Sequence, residues 1–225
     1  MRYYDSKGRI REFKEERLKY LNHGQTANIY HIDPKTLLKR YFSYASDTVI
    51  IDETIFKILT SKKSKHIVPL YQILKDDSLE KTIGYLMQYV NEYHIDYLTS
   101  ESDLLLSHTR DIELIVDELS KEKVRVMDLK STNVITTENG LVIIDPDKYR
   151  VVDYDPTFTN KDQVLYLAYS LLNYGKSEMS DSLDRVELLK FRRSIDLESE
   201  VDITSQLART LTKTKAPIDI FKRAI

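Results

Sequence analysis

The 225-residue chain has no cysteine and no tryptophan, and only five glycines and five prolines. Without thiols there is no disulfide framework, no thiolate zinc site and no cysteine nucleophile. Apolar runs are short, the longest being the six residues Val164-Leu165-Tyr166-Leu167-Ala168-Tyr169. A membrane span needs about 20, so none is expected. Met1-Arg2-Tyr3-Tyr4-Asp5 carries no apolar h-region, so a Sec-type signal is not expected either; a cytoplasmic location is, with delivery by a non-Sec route left open. No excess of either charge exists: 34 Lys and Arg face 36 Asp and Glu, a net charge of −2. That balance excludes a protein whose main task is gripping nucleic acid by neutralising its phosphates.

What is present is enough for a packed core. Residues are 41% hydrophobic and 31% charged, which marks a folded chain with a heavily solvated surface. Alternation over 28–32 and an apolar stretch over 36–42, separated by Asp33-Pro34, predict a β-meander. Ile51, Ile55, Ile58 and Leu59 predict a helix over 47–60, and two more strands follow at 67–71 and 83–90. After Asn91 the pattern changes. Leu104, Leu105, His108, Ile112, Ile115, Val116 and Leu119 predict a long core helix over 101–120. Short strands at 133–137 and 141–144 come next, and helical patterning runs from Lys161 onward, with VELLKF and APIDIFKRAI among its segments. The expected class is α+β: a β-rich part over 1–90 with one helix, and a mainly helical part over 91–225.

Three places in this layout carry chemistry. Asn139-Gly140 is a strong hairpin signal. With these two residues in the turn, Val134 pairs with Asp145 and Asn133 lies opposite Pro146. An amide and a carboxylate then leave one end of the ribbon together, a donor pair suited to a hard divalent cation. Asp128 stands five positions before Asn133. Taken alone, Asp-x-x-x-x-Asn reads equally well as turn residues. In the first part, Asn22-His23-Gly24-Gln25-Thr26-Ala27 is either a small-residue loop whose backbone amides approach an anion or a plain hairpin turn. Lys39 interrupts an apolar strand and needs a partner or an exit to solvent. Glu53 on the next helix is the available carboxylate; the alternative is a snorkelling edge lysine and a solvated glutamate.

The order glycine loop, strand lysine, helix glutamate, Asp-Leu-Lys-x-x-Asn, then hydrophobic-Asp resembles the eukaryotic-like protein kinase superfamily, from about Leu21 to Leu172. Met127-Asp128-Leu129-Lys130-Ser131-Thr132-Asn133 is similar to the kinase catalytic loop, and Asp145 falls where the D-F-G aspartate stands. The resemblance implies a two-lobe kinase-like fold and ATP-dependent phosphoryl transfer with Mg²⁺. It implies roles as well. Gly24 covers the phosphates; Lys39, oriented by Glu53, contacts them; the Val90 backbone meets adenine, with Met87 as gatekeeper. Asn133 and Asp145 hold the metal, Asp128 orients the acceptor hydroxyl and takes its proton, and Lys130 offsets charge at the γ-phosphate. Asp162 is similar to the helix aspartate that braces the catalytic loop. A lysine two positions after the aspartate is typical of Ser/Thr protein kinases, so the implied partner is a protein substrate.

The departures are specific. Val126-Met127 replaces His-Arg, removing the usual partner of an activation-loop phosphate. Asp145-Pro146-Asp147 replaces D-F-G, and its second aspartate either joins the metal site or caps a turn. Asn-x-Gly-x-x-Ala replaces the triple-glycine loop, and only seventeen positions separate Asp145 from Asp162, with no Ala-Pro-Glu. The expectation is a minimal, atypical kinase without a phosphorylation switch. The competing readings are a small-molecule kinase resembling aminoglycoside or choline phosphotransferases, a nucleotide-binding pseudokinase or interaction module, and an AMP transferase.

Overall fold

β-branched and aromatic residues at alternating positions give the strands described within the first ninety residues, and 3.6-residue apolar patterning gives the helices. The computed structural model describes residues 2–4, 9–12, 18–76, 78, 80–92, 102–172, 193 and 195–213. The segments VELLKF and APIDIFKRAI lie outside them. The protein is mixed α+β and divides into two compact units, 1–91 with 143–151, and 92–142 with 152–225. The expected boundary near 90 lies beside the one at 91, but residues 143–151, expected in the helical part, pack in the first unit.

In the first unit the strands are β1 (Arg2–Tyr4), β2 (Ile10–Glu12), β3 (Lys19–His23), β4 (Ala27–Asp33), β5 (Thr36–Tyr41), β6 (Leu70–Lys75) and β7 (Thr82–Gln88). They form one sheet in the order β2-β1-β6-β7-β5-β4-β3, with antiparallel pairings throughout. β5 lies inside the sheet between β7 and β4, and its successive residues Leu37, Leu38 and Lys39 are all buried, so both faces are covered there, which is why Thr36–Tyr41 reads as an apolar run around Lys39. Lys39 lies opposite Ile29 on one side and Tyr85 on the other. β5 and β7 approach closely at Gly84, where an added Cβ would stand 2.2 Å from the Lys39 carbonyl oxygen.

Helix α1 runs from Glu53 to Lys62 and starts later than the expected position 47. Asp52 sets the start: its carboxylate accepts the Thr54 and Ile55 amides, while Asp47–Val49 forms a separate 3₁₀ turn. The helix buries Ile55, Phe56 and Leu59 and ends at Lys63 in the left-handed region. Ile143 joins this unit through two backbone bonds, its N–H to the His66 carbonyl at 2.9 Å and its carbonyl from the Val68 N–H at 2.8 Å.

The second unit contains α2 (Ser102–Lys121), the short β8 (Val124–Arg125), a hairpin of β9 (Val134–Thr137) and β10 (Gly140–Ile143), whose last residue belongs to the first unit, α3 (Thr157–Leu172) and α4 (Ile203–Lys213). β11 (Arg150–Val151), in the first unit, completes the strands. α2 packs on α3 and α4 and buries Leu105, Ile112, Ile115, Val116 and Leu119. Its buried Glu113 accepts the amides of Ile203 and Thr204, capping α4 from a distance. The hairpin turn falls one residue earlier than expected: Glu138 and Asn139 separate the strands, and Gly140, at φ 106°, opens β10. A type I′ turn needs positive φ at both central residues, and Asn139 is not in that region; a turn followed by one left-handed glycine is used instead. The pairing that put Val134 opposite Asp145 is corrected accordingly. Among the described residues no helix is long and apolar enough to cross a membrane.

Candidate active site

The candidate residues form two groups, one in each unit. In the first, the Lys39 ammonium donates to Asp145 Oδ1 at 2.7 Å and lies 2.8 Å from Asp147 Oδ2. The two carboxylates differ in environment: the Asp145 side chain is 38% exposed and that of Asp147 only 6%. The Tyr85 hydroxyl donates to Asp147 Oδ1 at 2.9 Å, and its ring centroid lies 5.9 Å from the Lys39 nitrogen. Tyr85 is itself walled in by the edges of Tyr41 and Phe56.

Burial works against the Lys39 charge, but the charges of Asp147 and Asp145 outweigh it and hold the ammonium above the ordinary lysine pKa. Burial likewise pushes the Asp147 carboxyl above the usual carboxylate range, with Lys39 opposing the rise. Tyr85 and Tyr41 are both held well up, by burial first and the Asp147 charge second, so their hydroxyls keep their protons.

Arg150 fastens the segment that carries the two aspartates. One guanidinium nitrogen donates to the Asp147 and Tyr149 carbonyls, both at 2.6 Å. The other donates to the Thr48 carbonyl at 2.6 Å, with the Asp47 and Ile50 carbonyls at 3.3 and 3.4 Å. Five backbone acceptors converge on one side chain, tying residues 147–149 to the turn that leads into α1.

Glu53 does not partner Lys39. It opens α1, is about half exposed, and forms an ion pair with Lys75 of β6. Lys39 already has two carboxylates from residues over a hundred positions away, so the expected Lys39–Glu53 pair is replaced by Lys39 with Asp145 and Asp147. The second aspartate of D-P-D is therefore neither an outward metal ligand nor a simple turn cap. Gly24 lies in the turn between β3 and β4, where its N–H donates to the Ala27 carbonyl at 2.9 Å. A Cβ there would meet nothing within 4 Å, so no close approach dictates glycine at this turn. Val90 is half-buried in the coil after β7, next to Tyr89, whose N–H is taken by the Lys35 carbonyl.

In the second unit, residues 126–133 form a braced loop. Asp128 has φ 59°, and unlike Lys63 and Lys123 it ends no helix. Aspartate tolerates this region at some strain, and such strain gathers at functional positions. The Asp128 carbonyl accepts the Asn133 side-chain amide at 2.7 Å, and its carboxylate pairs with Lys130 at 2.9 Å. With its nitrogen so engaged, Asn133 keeps an oxygen as the atom suited to a hard cation. Leu129 is buried and pins the loop, and Lys130 is half-buried.

α3 holds the loop by its amides. The Val126 N–H donates to Asn160 Oδ1 at 2.7 Å, the Leu129 N–H to Gln163 Oε1 at 3.1 Å, and the Ser131 N–H to Ser170 Oγ at 2.8 Å. Positions 160, 163 and 170 share one face of a 3.6-residue helix. Asn160 is 1% exposed and also donates to Ser120 Oγ and the Val124 carbonyl. Asp162, the expected brace, is half-buried about 100° round the helix from Gln163, and Asn160, Gln163 and Ser170 brace the loop as well as any part it takes. The helix begins at Thr157, so Asp162 does not open it. A buried polar residue two positions earlier was the available signal.

Among the described residues, no three His, Asp or Glu side chains converge as a ready-made metal cage. Asn133 in the second unit and the half-exposed Asp145 in the first each carry an oxygen atom of the kind magnesium takes. The chain matches no protein-family model, and comparison with curated proteins gives no match.

Proposed function

We propose that this chain is an ATP-dependent phosphotransferase of kinase-like, two-lobe type, acting on a Ser or Thr hydroxyl of a protein. The observation that carries the reading is the buried Lys39 in contact with Asp145 and Asp147, a strand lysine joined to carboxylates 106 and 108 positions on. A lysine so placed is costly unless it serves a fixed anionic partner. The strained, braced Asp128 loop of the second unit supports the same reading.

In this mechanism Lys39 grips the α- and β-phosphates, and the turn at Gly24 covers them. The Val90 backbone meets the adenine edge. Asn133 and Asp145 would hold Mg²⁺, which would neutralise phosphate charge. The acceptor oxygen forms its bond to the γ-phosphorus as the bond to the β,γ-bridging oxygen breaks, and ADP leaves with that electron pair. The Asp128 carboxylate orients the acceptor hydroxyl and takes its proton late in transfer. Lys130 offsets charge on the moving phosphoryl group, and the cofactors are ATP and Mg²⁺. The short stretch after Asp145 carries no phosphorylation switch, so activity is constitutive.

Incubation with γ-labelled ATP and Mg²⁺ is expected to label the protein itself or generic protein substrates. Asp128→Ala is expected to abolish labelling while thermal stabilisation by Mg·ATP persists. Absence of both transfer and a nucleotide-induced thermal shift in the wild type overturns the enzyme reading. Label entering only from α-labelled ATP moves the assignment to AMP transfer, and labelling of a small-molecule acceptor in place of protein moves it to a small-molecule kinase.

A further inference from the structure

We propose that Asp147, seated by Tyr85, is the positioning residue for Lys39, in the place where a helix glutamate was expected. The proposal rests on the phosphotransferase reading and assigns a division of labour inside Asp145-Pro146-Asp147. Two carboxylates face one ammonium, but only Asp145 is open enough for a cation to reach; Asp147 is enclosed. When Asp145 turns to a metal, Lys39 keeps Asp147 as its buried partner.

The seat is built from both sides. Lys39 and Tyr85 are directly opposed across β5 and β7, so their side chains leave the same face of the sheet. The Tyr85 hydroxyl takes Asp147 Oδ1, leaving Oδ2 toward Lys39. Oδ1 is held by a hydrogen bond and Oδ2 by the ion pair alone, so the Tyr85 bond sets which oxygen faces Lys39. Arg150 holds the Asp147 carbonyl, and the Tyr149 N–H closes a turn on the Pro146 carbonyl at 3.0 Å. Glu53 has no share in this seat, being paired with Lys75.

The test compares wild type, Asp147→Asn, Tyr85→Phe and Glu53→Gln. It measures transfer from γ-labelled Mg·ATP, equilibrium affinity for Mg·ATP, and the rate at which an acylating reagent labels Lys39, read by peptide mass spectrometry. Asp147→Asn is expected to lower kcat by on the order of 10²-fold, the size reached when a positioned group is misplaced, with a smaller change in Mg·ATP affinity. Tyr85→Phe is expected to follow it more weakly, and both are expected to speed Lys39 acylation. The kcat loss in Asp147→Asn is expected to exceed that in Glu53→Gln by at least about tenfold. Should Asp147→Asn fail to fold, Tyr85→Phe, which keeps the carboxylate, carries the same comparison. Equal kcat losses in Asp147→Asn and Glu53→Gln overturn the proposal, as do wild-type kcat and acylation rates in both seat variants. Absence of transfer in the wild type overturns the proposal together with the reading beneath it, whereas those results in a transferring wild type overturn the proposal alone.

Discussion

Asn160 spends its whole amide inside the second unit, accepting from Val126 and donating to Ser120 and Val124. Truncation leaves the Val126 N–H and Val124 carbonyl buried without that partner, and each such orphan costs about 1–3 kcal/mol. Asn160→Ala is therefore expected to destabilise the protein by about 2–4 kcal/mol, read as a lowered denaturant midpoint with an unchanged slope. A midpoint shift typical of a surface substitution would show that the loop does not depend on this amide. Residues such as this mark the limit of sequence reasoning. That Lys39 needs a partner is legible, because a lysine between Leu38 and Tyr41 violates the apolar pattern. Which carboxylate answers it is not, since that depends on a contact spanning over a hundred positions. The part that Asn160 plays is not legible either: with the helix taken to begin near Lys161 rather than Thr157, the inward face cannot be assigned.

Elements were more legible than their ends. Helical spacing locates the bodies of α1 and α2, but the start of α1 belongs to Asp52, whose capping bonds matter more than apolar spacing. β4, β5 and β7 follow from alternation and burial, while the hairpin at Gly140 shifted by one residue because two different turns use the same Asn-Gly pair. At α4 the cap supplies a pH-dependent term. Asp202 accepts the Ser205 N–H at 2.8 Å and its hydroxyl at 2.9 Å, and pairs with Arg110 at 2.9 Å. Partial burial opposes its charge, but the Ser205 bonds and Arg110 outweigh that and hold the carboxyl below its ordinary value. A depressed folded-state pKa means that the unfolded chain takes up the proton first. The contribution is complete above the unfolded value and fades as pH falls through the folded one. Asp202→Ala is expected to cost about 1 kcal/mol near neutrality, with the gap to wild type narrowing as pH falls below about 5. Urea midpoints across that range test it; a gap that stays constant or widens contradicts the assignment.

On the scale of the molecule, the chain enters the first unit twice, as residues 1–91 and again as 143–151. The second visit supplies both carboxylates that face Lys39, the Ile143 bonds to His66 and Val68, and the Arg150 clamp on the turn before α1. A fragment of residues 1–91 keeps the sheet strands but holds a buried interior-strand lysine with neither of these aspartates. An unpaired buried charge costs about 3–5 kcal/mol, comparable to the whole stability of a small unit. The fragment is accordingly expected to be largely unfolded by circular dichroism and by amide shift dispersion. The sign of one substitution separates this cause from simple loss of contacts. Lys39→Met is expected to stabilise the fragment, because it removes the uncompensated ammonium. The same change is expected to destabilise the full chain, because it leaves Asp147 buried without its cation. If Lys39→Met shifts both proteins in the same direction, the electrostatic dependence of the first unit on residues 143–151 is wrong, and that segment contributes by packing alone.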